Sequence, residues 1–232
     1  MALDISQSPL NDIIVRSYAG FGQASWHFTD QLSGTLGLRY SHEEKDFFTS
    51  NVRVESSQAL GVPLFLVPPT EREASFNDLS PKVGLEFKAT PDVLLYGNYS
   101  EGFRSGTFNG RSGAQRAVQA VDPEQVENYE LGFKSEWFGH RLRQNGAGFF
   151  TNYSDIQFIS VEPDPAAGFI VFLRNTDEAE VYGFELESVA TLSDTFQVYA
   201  NVGHTHSEVT KIDPLLALST GVDEGDQLRK AP

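Results

Sequence analysis

The feature that most constrains this chain is a period-two alternation of apolar and polar residues that returns again and again, separated by connections of two length classes taking turns. "LSGTLGLRYSH" from Leu32 sets Leu32, Leu36, Leu38 and Tyr40 against Ser33, Thr35, Arg39 and Ser41. "LSPKVGLEF" sets Val83, Leu85 and Phe87 against Lys82, Gly84 and Glu86. "VENYELGFKSEWFG" sets Tyr129, Leu131, Phe133 and Trp137 against Glu130, Lys134 and Glu136. Further on, Phe184 and Leu186 oppose Gly183, Glu185 and Glu187, and Phe196, Val198, Ala200 and Val202 oppose Gln197, Tyr199 and Asn201. Successive side chains of a strand point to opposite faces, so each segment predicts a strand with one greasy side and one wet side.

The connections decide what such strands build. Thr29-Asp-Gln, Thr90-Pro-Asp, Gly139-His-Arg and Ser193-Asp-Thr are short and rich in hairpin-closing residues. Between them fall long connections: Lys45 to Ser75, Arg104 to Asp122, "EPDPAAG" from Glu162, and Lys211 onward. Short turns at one end, long loops at the other and strands ending in aromatics form the layout of an outer-membrane barrel, here with about eight strands, nine being the alternative count. Parity then requires Phe169 to Leu192 to be one long strand, bulged near Asn175 to Glu178. A soluble antiparallel β-sandwich shares the alternation but not the two-class loops.

Composition removes other classes. No apolar run approaches the ~18 residues of a spanning helix. With 17 Lys+Arg against 32 Asp+Glu and a formal charge of −15, the chain lacks the basic face that nucleic acid needs. The absence of cysteine excludes a disulfide scaffold and a thiolate metal site.

Placed in order, "LLYGNYSEGFRSGTFNG", "DPEQVENYELGFKSEWFGHRLRQNGAGFFTNYSDIQF" and "RNTDEAEVYGFELESVATLSDTFQVYANVGHTHSEVT", with "SWHFTDQLSGTLGLRYSHEEKDF" upstream, resemble the barrel of TonB-dependent outer-membrane receptors over nearly the whole chain. The resemblance implies a barrel of about 22 strands, closed by an N-terminal plug, that imports scarce nutrients with energy delivered through TonB. On that reading residues 1–232 are a partial barrel domain: no plug or export signal is visible at "MALDISQSPLND", and "LRKAP" stops where another strand is due. The expected function is uptake of a scarce nutrient across the bacterial outer membrane, a ferric siderophore first, with heme, cobalamin and oligosaccharides left open; the expected partners are lipid, lipopolysaccharide, the siderophore or a similar small ligand and TonB (through the plug), with no cofactor. Two alternatives stand beside it: a complete eight-stranded barrel acting as an anchor or adhesion scaffold, and a soluble β-sandwich lectin or enzyme.

Site expectations follow from faces and charges. Leu36, Leu38, Leu131, Phe133, Trp137, Phe184 and Leu186 are expected to face lipid. Gly37, Gly84, Gly132 and Gly183 fall on the wet face, where they either leave room for an interior element or mark bulges. Glu185 and Glu187 have the spacing of a carboxylate pair, but a solvated wall gives no means of splitting their pKa values, so no catalytic residue is assigned. His204 and His206 share a face with Glu208 and are weak metal candidates. The apolar "PLFLVPP", Pro63 to Pro69, is expected to fold back against a loop. In "FRSGTFNGRSGAQRAVQAVD", Arg104, Arg111 and Arg116 precede any acid, making a locally positive loop suited to an anionic ligand, with Phe103 and Phe108 supplying apolar contact. Binding lipopolysaccharide phosphates is the alternative role for these arginines.

Overall fold

The computed structural model describes residues 5–55, 64–164 and 168–228. Eight strands follow one another: β1 (Ile5–His27), β2 (Leu32–Glu55), β3 (Leu64–Thr90), β4 (Val93–Arg104), β5 (Glu124–Trp137), β6 (Leu142–Asp164), β7 (Gly168–Ser193) and β8 (Phe196–Lys211). A short 3-10 turn (Gln115–Ala117) lies between β4 and β5, and a helix, α1 (Pro214–Thr220), follows β8. Every strand pairs antiparallel with its sequence neighbours, in the order β1 to β8. The sheet is open, with β1 and β8 at its edges.

The connections sort to the two ends as the alternation requires. Phe28–Gln31, Pro91–Asp92, Phe138–Arg141 and Asp194–Thr195 close hairpins at one end. In the turn between β5 and β6, Phe138, Gly139 and His140 all adopt left-handed φ, of 56°, 66° and 64°. β7 runs unbroken as expected, with a register shift against β8 between Glu178 and Ala179.

The expected long connection from Lys45 to Ser75 is a correction. β2 continues to Glu55 and β3 begins at Leu64, so most of that stretch is strand. Strands β1, β2, β3, β6 and β7 have 23, 24, 27, 23 and 26 residues, whereas roughly 9–11 suffice to cross a bilayer. Strands β4 and β5 have only 12 and 14. Two tall flanks therefore rise on either side of a low saddle.

We call the face on which the β4–β5 connection lies the inner face. Ser41, Lys45, Phe47, Thr49 and Asn51 point inward on β2 and are buried. On the outer face the register aligns Leu36, Val83, Tyr99, Tyr129, Phe150, Tyr182 and His206 in one row across seven strands. Ring centroids there are 4.9 Å apart for Tyr99–Tyr129, 6.5 Å for Tyr129–Phe150 and 5.0 Å for Tyr182–His206. Toward the turns the rows become Leu85, Gly97, Leu131, Gly148, Phe184 and then Phe87, Leu95, Phe133, Gly146, Leu186. Toward the loops the row is Glu101, Glu127, Asn152, Glu180, Glu208. Tyr99 donates to Glu101 at 2.5 Å and Tyr129 to Glu127 at 3.4 Å, so each phenol turns its polar tip away from the apolar rows. A second aromatic group, Trp26, Phe28, Trp137, Phe138 and Phe196, stands exposed beside the turns. Eight residues separate Tyr129 from Trp137, which at ~3.3 Å per residue and a tilt of about 40° gives an apolar band of roughly 20 Å, near the height such barrels present to lipid.

All seven residues expected to face lipid share this outer face. Leu131 is 74% exposed. Phe133 is half-buried because its ring lies over Gly146, where an added Cβ would come within 2.5 Å of it. On the inner face Gly132 and Gly183 do not leave open room. Tyr96 covers Gly132 and Phe149 covers Gly183, and a Cβ would meet those rings at 2.5 and 2.9 Å. Cross-strand rings fill the volume that the glycines vacate.

Candidate functional site

The loop-bearing end is organised by residues 105–122, which leave the saddle between β4 and β5 and fold onto the inner face. The segment is rich in glycine and small polar residues, so its backbone amides and carbonyls need partners once water is excluded. The strands supply them through side chains. Asn11 of β1 donates to the Gly110 carbonyl at 2.6 Å, Lys45 of β2 to Gly106 at 2.6 Å, and Asn51 of β2 to Ser112 at 3.2 Å. From the other flank, Gln157 of β6 donates to the carbonyls of Ser105 and Asp122, both at 3.1 Å, and Asn175 of β7 donates to Asp122 at 2.8 Å while accepting from its amide at 2.6 Å. The loop returns two such bonds, from Asn109 to the Val171 carbonyl of β7 at 2.5 Å and from Gln115 to Thr70 of β3 at 3.1 Å. Asn109 and Gly110 are adjacent in sequence, yet they touch β7 and β1 respectively.

A small apolar core locks the same segment down. Phe108 stacks on Phe47 with centroids 5.0 Å apart and planes 10° from parallel, and Val67 and Val118 complete the cluster. The apolar Pro63–Pro69 stretch thus packs against a loop through Val67, which is fully buried; Pro63 itself lies outside the described residues. Beneath the cluster Lys45 pairs with Glu43 at 2.8 Å and lies 5.9 Å from the Phe76 ring. Burial works to raise the Glu43 pKa, but hydrogen bonds from Lys45 and Ser105 and the Lys45 charge outweigh it and hold the carboxyl below its ordinary value.

The structure separates the residues expected to bind an anion. Phe103 belongs to β4, pairs with Gln125, and by alternation lies on the outer face with Tyr99 and Glu101, away from the loop. Phe108 is 6% exposed and consumed in the loop's own core. Arg104 lies 3.4 Å from Glu124, and Arg116 pairs with Asp164 at 3.0 Å with its guanidinium 5.8 Å from the Phe172 ring. The expected positive loop is therefore neutralised at two of its three arginines. Arg111 stands exposed, and no ion pair of its side chain is formed with any described residue.

Beside the loop a hollow of ≈ 440 Å³ opens along Arg116, Gln119, Glu162, Phe172 and Arg174. Arg174 pairs with Glu162 at 2.8 Å and stacks 4.6 Å from the Phe172 ring. Phe172, Arg174 and the wall amides Asn11, Asn51, Gln157 and Asn175 were invisible as site residues in the sequence, where each is an ordinary polar or aromatic residue of a strand.

The remaining candidates lie elsewhere. Glu185 and Glu187 are exposed on the inner wall. His204 and His206 sit on the outer face against Phe184 and Tyr182, and His206 lies 3.8 Å from Glu208. Among the described residues no group of three His, Cys, Asp or Glu side chains converges to hold a metal.

Comparison with known proteins places this geometry. The family described as "TonB dependent receptor-like, beta-barrel" matches residues 4–232. The metal-pseudopaline receptor CntO of Pseudomonas aeruginosa is 26% identical over 189 residues, which are 79% of this chain and 23% of that protein. The ferric-pyoverdine 358 receptor of Pseudomonas putida is 23% identical over 203 residues, 86% of this chain and 23% of that protein. The chain thus spans about a quarter of the length of these curated relatives. Among solved structures, the ferric yersiniabactin uptake receptor FyuA from Yersinia pestis superposes with a TM-score of 0.72 at 20% identity, covering 88% of this chain and 28% of that one. The siderophore receptor PiuA from Acinetobacter baumannii gives a TM-score of 0.64 at 20% identity over 87% and 27%. At these identities the structural likeness is one of fold.

Proposed function

We propose, for a chain that belongs to the TonB-dependent receptor β-barrel family, that it forms the part of a receptor wall and mouth through which a ferric siderophore or a similar metal complex is taken up. Membership makes it a portion of an outer-membrane barrel and a transport protein rather than an enzyme. Uptake of a metal–siderophore complex is the finer reading. It is supported by the relatives, which are named as receptors for metal-pseudopaline and ferric-pyoverdine. Transport would draw its energy from TonB, reached through a plug in the remainder of the receptor.

The observation that carries the reading is the arrangement of the loop-bearing end. A wall that crosses the membrane as strands ends in a mouth narrowed by a folded loop, and that loop presents Arg111 outward in a chain of formal charge −15. Arginine is unusual among cations in matching carboxylate, catecholate or hydroxamate oxygens with a planar fork of donors. Arg111 is the residue proposed to meet an anionic cargo first, while Arg104 and Arg116 hold the mouth together through Glu124 and Asp164.

The test is uptake of ⁵⁵Fe-loaded siderophores, ferric-pyoverdine among them, by iron-limited cells whose own receptors are deleted and which carry the full-length receptor. Accumulation that requires TonB is expected. Arg111→Ala should weaken binding, and the deficit should shrink as salt rises. Binding unchanged at low salt would leave Arg111 only a surface role, such as contact with lipopolysaccharide phosphates.

A further inference from the structure

We infer that residues 105–122 form a fixed brace across the mouth and do not swing aside when cargo passes. The inference rests on the transport reading above and adds to it which part of the mouth stays still. A lid that opens needs an edge whose contacts are few and replaceable by water. This segment has the opposite construction, because both its flanks are anchored and its middle is cored.

On one flank Asn11, Lys45 and Asn51 hold the carbonyls of Gly110, Gly106 and Ser112. On the other Gln157 and Asn175 hold Ser105 and Asp122, and Asn109 holds Val171. Phe108, Val118, Phe47 and Val67 exclude water between them. Swinging the loop outward would strand the buried Lys45 ammonium, 8% exposed, away from the Gly106 carbonyl. It would also bare the inner faces of β2 and β3. Gly106 makes the loop's close approach possible: a Cβ there would lie 2.1 Å from the Val121 carbonyl and 2.4 Å from the Phe76 ring. Val121 in turn donates its amide to the Thr107 carbonyl at 2.8 Å, closing the segment on itself. Any opening of the mouth must therefore come from elements other than this one.

The experiment uses the full-length receptor in a cysteine-free background with Thr70→Cys and Gln115→Cys, positions whose native side chains meet at 3.1 Å. A short bis-methanethiosulfonate reagent joins them on intact cells, and a reductant releases them. Ferric-pyoverdine uptake at the same rate in the open, joined and released receptor is the expected result. Loss of uptake on joining and recovery on release would show that the loop moves, overturning the inference while leaving the transport reading intact. If the wild-type receptor takes up none of the siderophores offered, that reading fails on its own, and amide exchange decides the inference instead. Val121 and Asp122 amides exchanging far more slowly than a free chain support the brace, and exchange at the free-chain rate refutes it.

Discussion

Truncating Phe108 to alanine is the sharpest perturbation of the brace. The ring is 6% exposed, stacked flat on Phe47, and bounded by Val67 and Val118 at 0% and 1% exposure, so its loss leaves a cavity with little freedom to collapse. Removing a phenyl group from such a site costs about 3–5 kcal/mol. The hydrogen bonds from Asn11, Lys45 and Gln157 remain, each contributing on the order of 1 kcal/mol net, so the loop should stay folded most of the time but open far more often. At roughly 1.4 kcal/mol per tenfold, the open population rises between about a hundredfold and a few thousandfold. Trypsin on intact cells reads that population at Arg111 and Arg116, because cleavage tracks the open form when closing is fast. Phe103→Ala is the matched control, since that ring lies on the outer face and touches no part of the cluster. Wild type and Phe103→Ala should resist cleavage while Phe108→Ala is cut. Equal resistance in all three, with heat-modifiable migration proving an intact barrel, would refute the account of the loop's core.

Other consequences are open to measurement. Phe133→Arg should impair barrel assembly, at a cost of about 2–4 kcal/mol if the residue meets the bilayer midplane, whereas Lys134→Gln on the inner wall should be tolerated; equal yields in outer-membrane fractions would contradict the assignment of faces. Gly183→Ala should disrupt pairing of β7 with β8, because its Cβ would lie 2.0 Å from the His204 carbonyl, while Gly22→Ala meets open space and should assemble normally, as judged by protease resistance. Acid should loosen the brace through Glu43: its folded pKa is lowered, so its pairing with Lys45 stabilises above the unfolded value and is lost as pH falls through the folded one. Cleavage of the loop by pepsin, which works in acid, measured relative to an unfolded substrate at the same pH, should therefore rise only below the ordinary glutamate range near pH ~4, and Glu43→Gln should abolish that dependence.

The part of the chain between the two aromatic groups was legible because lipid imposes a demand on one face alone. Leu131 and Phe133 against Glu130 and Lys134 cannot be written any other way in a wall with water on one side. Above Tyr99 and Tyr129 that demand ends, both faces meet water or protein, and alternation fades although the strand continues. That is why Lys45 to Glu55 reads as loop in the sequence and is strand in the molecule. Phe103 shows the same boundary in miniature: its parity with Tyr99 places it on the outer face, but only once β4 is known to reach Arg104. The partners of the arginines were hidden for a different reason. A local charge count sees only neighbours in sequence, and Glu124 and Asp164 lie 20 and 48 residues from the arginines they neutralise. The amides that hold the brace carry no pattern at all, since Asn11, Gln157 and Asn175 acquire their role only from the backbone that tertiary structure brings to them.

The single peptide bond between Asn109 and Gly110 carries the connection from one flank of the mouth to the other. Surface loops ordinarily diversify by gaining and losing residues, but one residue inserted here would push the two anchoring points apart by up to ~3.8 Å, further than a hydrogen bond can stretch and survive. Length variation is thus closed at this bond, while exposed positions beside it, Arg111 foremost, remain free to change in kind. A lineage of such receptors that shifts its cargo must do so here by spelling and not by spacing.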